Sequence, residues 1–250
     1  MVAVREFKEL VQASIDEGID VIVAGAGFSR DLLSMGEEND VEIVPIVSSV
    51  KLAKISERLG ASAVVVEGKE AGGHLGTDKP IRPLVEKVID AVDIPVIAAG
   101  GIINGQDIAR YLELGAAGVQ MGSRFVASEE CEVEDEFKEL YISADKGEDI
   151  LIESPVGLPG RALSNEFTDR LEEDVVETGD ECEYLCLKKC SQDFCIMKAL
   201  RQAHDGNMEK GLVFAGENAP LIDNILPVKK IIKDLVQDAQ EFLGREDEDE

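Results

Sequence analysis

The sequence has no tryptophan and two histidines, and aromatic residues make up only 4% of its 250 positions. It is nonetheless 44% hydrophobic, which excludes a disordered chain and suffices for one large domain or two small ones. Basic side chains are scarce: Lys and Arg number 25 against 52 Asp and Glu, for a formal net charge of -27. A field of that sign repels phosphate backbones and anionic lipid surfaces, so nucleic-acid and membrane-surface partners are excluded. Long apolar runs are also missing, since no segment reaches the ~20 residues of a membrane span. MVAVREFKEL lacks a signal-peptide core, with charges already at Arg5 and Glu6, and the expected location is the cytoplasm. The five cysteines are odd in number and four are clustered, unlike a secreted disulfide framework.

What is present alternates. A helix reads through Val4, Phe7, Leu10 and Val11 and stops at Gly18. Five β-branched or apolar runs follow, IDVIVAGAG, VEIVPIVSS, ASAVVVEG, IPVIAAGG and AAGVQMGSRF. Amphipathic helices separate the later ones. SVKLAKISERLG presents Leu52, Ile55 and Leu59, IRPLVEKVIDAV presents Ile81, Leu84, Val85 and Val88, and GQDIARYLELG ends at Gly115. Continuous apolar strands between such helices predict a parallel sheet covered on its outer face, as in a (β/α) barrel. An acidic helix around EFKELY comes next. Beyond about Asp145, SPVGLPGRAL reads as an ordered loop. It precedes a helical region that contains the cysteines and FCIMKALRQAHDG, then GLVFAGENA as a short loop or strand. LPVKKIIKDLVQDAQEFL is a last amphipathic helix, and REDEDE a solvated tail. The expected domains are residues 1–144 for the barrel portion, 145–243 for a loop-rich and helical extension with the cysteine cluster, and 244–250 for the tail.

Glycines mark the strand ends where the active sites of parallel barrels lie. Gly100 and Gly101 follow IPVIAA, and Gly122 and Ser123 follow GVQM. Two successive pairs after the last two strands point to a phosphate cradle, because glycine lets backbone N–H groups approach an anion. A third glycine-rich stretch, EGKEAGGHLG, holds His74, which can serve as a general base near neutral pH. His204 ends a helix and reads as structural.

EAGGHLG, IPVIAAGGI and LGAAGVQMGSRFVASEEC, in this order, resemble the nitronate monooxygenase family and the related FMN-dependent enoyl-acyl-carrier-protein reductases. SPVGLPGRA and GLVFAGENA extend the resemblance over nearly the whole chain. It implies an FMN-binding TIM barrel. Gly100, Gly101, Gly122 and Ser123 would hold the FMN phosphate, with Glu67, Gly68, Gly72 and Gly73 along the flavin and His74 as the base. The implied reaction is oxidation of an alkyl nitronate by molecular oxygen. The alternative is NAD(P)H-dependent reduction of an enoyl thioester.

Only five barrel strands are legible, whereas a closed barrel of this type has eight. The expected fold is therefore α/β, of the (β/α)8 TIM-barrel type but incomplete, with a helical C-terminal extension. The chain looks like the C-terminal portion of the family's protein, which brings in two further expectations. One is a complementary N-terminal chain or a homo-oligomer. The other is a split or non-catalytic fragment, and a flavin-independent barrel binding a sugar phosphate at the same glycines is a further alternative.

Cys182, Cys186, Cys190 and Cys195 are spaced so that the first three would share a helix face. They suit reduced packing, a Zn or Fe–S site, or a redox disulfide, with packing favoured and no metal assigned. Cys131 reads as packing or a surface thiol.

Overall fold

A computed structural model describes residues 4–25, 29–173, 182 and 184–244. The expected acidic tail lies outside the described residues apart from Gly244.

The elements run α1 (Phe7–Asp16), β1 (Val21–Ala24), α2 (Arg30–Asn39), β2 (Glu42–Val47), α3 (Val50–Arg58), β3 (Val64–Glu67) and β4 (Gly73–His74). Next come α4 (Ile81–Ile89), β5 (Val96–Ala99), α5 (Gly105–Glu113), β6 (Gly118–Gln120), α6 (Ser123–Val126) and α7 (Asp135–Ser143). The rest are β7 (Asp149–Glu153), β8 (Pro159–Leu163), α8 (Glu166–Glu172), α9 (Ile196–His204), a 3-10 turn (Ala219–Leu221) and α10 (Val228–Phe242).

All five expected strands form, and they pair in parallel in the order β1-β2-β3-β5-β6. Their residues alternate between two apolar layers, as the period of two requires. Val47, Val64, Val66, Val96 and Ala98 face the helices and pack with Leu84, Val85 and Val88 of α4 and Ala53 of α3. Val44, Val65 and Ala99 form the layer on the concave side, with Ile46 and Ile97 against them. The fold is the α/β TIM-barrel type with five strands in a curled parallel sheet. β1 and β6 each have one strand neighbour, and on β1 the side chains of Val21 and Val23 are 45% and 50% exposed.

Several local expectations are corrected. α1 begins at Phe7, and Val4 instead bridges Leu187, so the first helix is shorter than its apolar spacing suggested. Phe7 and Val11 are buried, but Leu10 is 57% exposed. In α3 the sheet-facing residues are Ala53 and Ser56, with Leu59 beyond the helix end. α2 stands between the first two strands, where the sequence reading places no helix, and it contains Gly36. That glycine is there for space: a Cβ would lie 2.3 Å from Ile43 Cγ1 and 2.7 Å from the Val41 carbonyl. Ser29 caps the helix by accepting from the Leu32 N–H.

The largest correction concerns SPVGLPGRAL. It is half of a hairpin, in which β7 and β8 pair antiparallel from Asp149↔Leu163 to Glu153↔Pro159. β8 then takes β4 on its other side, with Gly73 opposite Arg161 and His74 opposite Gly160. The 211–219 segment adds further pairing, through Leu163 N–H to Val213 O and Ala215 N–H to Arg161 O. The cysteines do not share a helix face. Cys182, Cys186 and Cys190 lie in irregular chain, and Cys195 is the residue before α9. Leu185 and Gln192 adopt positive φ, which no helix accommodates, and Leu187 is held by Val4 and Arg5. All four are free thiols, and among the described residues no group of three His, Cys, Asp or Glu is placed to hold a metal ion.

α10 crosses α5 so closely that a Cβ on Gly105 would lie 2.4 Å from both Asp238 Cβ and the Leu235 carbonyl. Gly105→Ala therefore overpacks the crossing and lowers the unfolding free energy by about 1–3 kcal/mol. Urea unfolding of the two proteins under one condition checks this.

Candidate active site

β3, β5 and β6 end on one side of the sheet, and their following loops wall a cavity of about 260 Å3. Glu67, Gly72, Gly73, Gly100, Gly101, Gly122 and Ser123 line it. Two other sequence candidates do not. Gly68 is set back against α4, where a Cβ would lie 2.4 Å from Ile81 Cβ, so its lack of a side chain serves packing. His74 stands one residue beyond the wall, in β4.

The glycines are shaped by close approach. Gly100 and Gly101 take φ of +117° and +68°, and a Cβ on Gly100 would lie 2.9 Å from the Ala71 amide nitrogen. A Cβ on Gly72 would lie 2.6 Å from the Ala215 carbonyl carbon, because the 211–219 segment runs directly over it. Gly122 differs, since it has nothing within 4 Å of its Cβ position. No lysine or arginine is among the described residues lining the cavity, so only N–H groups and hydroxyls could meet an anion there.

The far wall comes from residues that the sequence reading left out, namely Tyr141, Phe214, Ala215, Gly216 and Asn218. The Gly216 N–H donates to Ser123 Oγ at 3.0 Å, and Asn218 Nδ2 donates to the Gly101 carbonyl. The Tyr141 hydroxyl donates to the Phe214 carbonyl, and burial pushes its pKa well up. The available signal was Gly216, the second glycine of GLVFAGENA, where a Cβ would lie 3.1 Å from the Glu70 carbonyl and 3.4 Å from Ser123 Oγ.

Two titratable groups stand out. Glu67 ends β3 in a largely buried position, and burial pushes its pKa up to about 7. His74 is half-buried, and burial holds its pKa below the ordinary 6.5. Its Nε2 lies 2.7 Å from the hydroxyl of Ser154, and the edge of its ring meets Phe214 with centroids 5.1 Å apart. His204 is exposed at the end of α9, with Nδ1 2.9 Å from Asp205, far from this geometry in role and setting.

The model of the nitronate monooxygenase family matches residues 1–238. The chain belongs to the nitronate monooxygenase family. It is thereby an enzyme of a flavin-dependent oxidoreductase family. A probable nitronate monooxygenase of Staphylococcus saprophyticus is 28% identical over 254 residues, covering 96% of this chain and 69% of that protein. FabK from Thermotoga maritima is 36% identical with a TM-score of 0.85, covering 96% of this chain and 74% of that one. A nitroalkane oxidase from Streptomyces ansochromogenes, at 24% identity and a TM-score of 0.79 over 95% of this chain and 69% of its own, shares the fold.

Two outcomes follow. Gly122 has ordinary φ and open space, so Gly122→Val fills the cavity without a clash. A ligand that occupies this cavity is expected to bind the variant about tenfold more weakly, with the melting temperature unchanged within about two degrees, as titration with flavin and calorimetry will show. Glu67 binds its proton more tightly folded than unfolded, so ionising it costs stability as pH rises from about 4.5 through 7. Glu67→Gln removes that cost. Its unfolding free energy gains on the native protein between pH 5 and 8, by up to about 3 kcal/mol.

Proposed function

We propose that the chain binds FMN and oxidises alkyl nitronates with molecular oxygen. The observation that carries this is the glycine-walled cavity at the ends of β3, β5 and β6, in a chain of the nitronate monooxygenase family. To a phosphate the wall offers backbone N–H groups at glycines and a hydroxyl at Ser123, and among the described lining residues these stand in for the lysine or arginine that is absent. Gly100, Gly101, Gly122 and Ser123 would hold the phosphate, with Gly72, Gly73 and Glu67 along the rest of the molecule. Bound FMN supplies the electron transfer between nitronate and oxygen.

The protein's own work is positional and protonic. Burial, which pushes its pKa up to about 7, lets Glu67 keep its proton to higher pH than an ordinary carboxyl, so it can donate a hydrogen bond where a bare carboxylate would repel an anion. His74 serves substrates that arrive as neutral nitroalkanes. It removes the α-proton, leaving the electron pair to form the C=N bond of the nitronate. Its lowered pKa keeps it unprotonated, and thus competent, at pH 7.

The second reading is reduction of an enoyl thioester with NAD(P)H. The greater identity to FabK, 36% against 28% for the nitronate monooxygenase, supports it. The net charge of -27 counts against an acidic carrier protein as partner.

The test is the visible spectrum of the purified chain after addition of excess FMN and desalting, followed by parallel assays. Stoichiometric flavin with oxygen uptake on a nitronate is expected. Turnover only of an enoyl thioester with NAD(P)H selects the second reading, and loss of all flavin on desalting defeats both. His74→Gln lowers activity on a neutral nitroalkane by about 100-fold or more while sparing the nitronate. In the native protein nitroalkane activity falls as pH drops through the His74 pKa, below 6.5.

A further inference from the structure

We infer that Ser154 is the positioning residue of His74, accepting the Nε2–H of the imidazole so that Nδ1 is left as the basic nitrogen. This rests on the reading of His74 as a base.

The register of the small sheet brings the two residues together. His74 pairs with Gly160 of β8, and the Leu75 N–H donates to the Pro159 carbonyl. β8 is joined to β7 by the tight connection that begins at Ser154, closed by Gly157 N–H to Ser154 O. The Ser154 hydroxyl is thus fixed beside the ring, 80 residues away in sequence, and is only 4% exposed. Its oxygen also meets the Val156 N–H at a long 3.4 Å, which leaves acceptor capacity for the imidazole. Phe214 packs on the same ring from the neighbouring segment.

The assignment of the proton follows from what each nitrogen meets. Nε2 is tied to Ser154, and among the described residues no hydrogen-bond partner meets Nδ1. A base must keep one nitrogen with an unshared lone pair, so the proton of the neutral ring belongs on Nε2. When Nδ1 takes the α-proton, a C–H bond breaks, an N–H bond forms and the imidazolium keeps its Nε2–H on Ser154. That bond strengthens as the ring becomes charged. The charged residue of β8 is Arg161, which is paired with Asp149 and Glu217. The neighbouring β7 carries Asp149 and Glu153, and the 211–219 segment carries Glu217. None of these sets the titration of His74, whose one resolved cause is burial.

Two histidines make the test direct, because the long-range 1H–15N spectrum of the whole protein has only His74 and His204 to assign. The native protein is expected to show His74 protonated on Nε2. Ser154→Ala is expected to mix the two tautomers and move the His74 titration midpoint down. Ser154→Thr restores both, because it keeps the hydroxyl. In turnover, Ser154→Ala should lose at least tenfold more kcat on a neutral nitroalkane than on the corresponding nitronate, with KM little changed. A native His74 protonated on Nδ1 overturns the inference, as does a titration midpoint indifferent to Ser154→Ala. An equal loss on both substrates also overturns it. If neither substrate turns over in the native protein, the functional reading fails, and the tautomer measurement decides the role of Ser154 alone. His204, exposed on α9, is the internal control, and its signals should be the same in all three proteins.

Discussion

One buried guanidinium holds the site together. Arg161, on β8, reaches three parts of the chain at once. Its Nε and Nη2 donate to the Lys69 carbonyl in the β3–β4 loop, its Nη1 pairs with Asp149 on β7, and Glu217 in the last wall segment lies 3.7 Å from Nη2. The side chain is only 9% exposed. A planar fork of donors can serve several acceptors in fixed directions, which a lysine could not do. Breaking one side of such a buried pair costs about 3–5 kcal/mol, because it strands the other charge. The β3–β4 loop carries Gly72, Gly73 and His74, and the segment after Gly211 carries Phe214, Gly216 and Asn218. Arg161 is what makes these two loops opposite walls of one cavity.

The parallel sheet has a separate logic. Its outer face is a layer of valines and alanines under α3, α4 and α5, dense and unspecialised. Function is confined to the strand ends, where glycines replace side chains and backbone comes near backbone. The antiparallel hairpin is laid over those ends like a bracket, and it brings Ser154 to His74. Rigid strands set the floor, and the later chain sets the far wall.

The parts legible in the sequence are those written in a local period. All five strands and the α4 stripe follow from runs of a few residues, and in the central β2, β3 and β5 burial on both faces demands nearly uninterrupted Val, Ile and Ala. The placing of Gly100-Gly101 and Gly122-Ser123 at one cavity was legible too, since two such pairs after consecutive strands are hard to explain by turns alone. What escaped depends on partners distant in sequence. α2 went unread, and its Gly36 is explained only by Ile43 packed against it from β2. β8 looks like a loop because Pro159 and Gly160 are poor strand residues, yet pairing with both β4 and β7 overrides them. The helical periodicity of the cysteines was a coincidence of spacing, broken by positive φ at Leu185 and Gln192. Gly68 and Gly72 sit four residues apart in one motif, but one answers to Ile81 and the other to the backbone at Ala215.

The cavity wall without lysine or arginine has a kinetic side. A protein of net charge -27 repels any phosphate-bearing molecule long before contact, and among the described residues no lysine or arginine lines the cavity to offset that repulsion. Amide dipoles act only over the last few ångströms, whereas the repulsion extends over a Debye length, about 10 Å at 0.1 M salt. Approach and retention are therefore governed by different forces. Added salt shortens the reach of the first and barely touches the second, so an anionic ligand enters faster in brine than in dilute buffer while its rate of escape stays nearly the same.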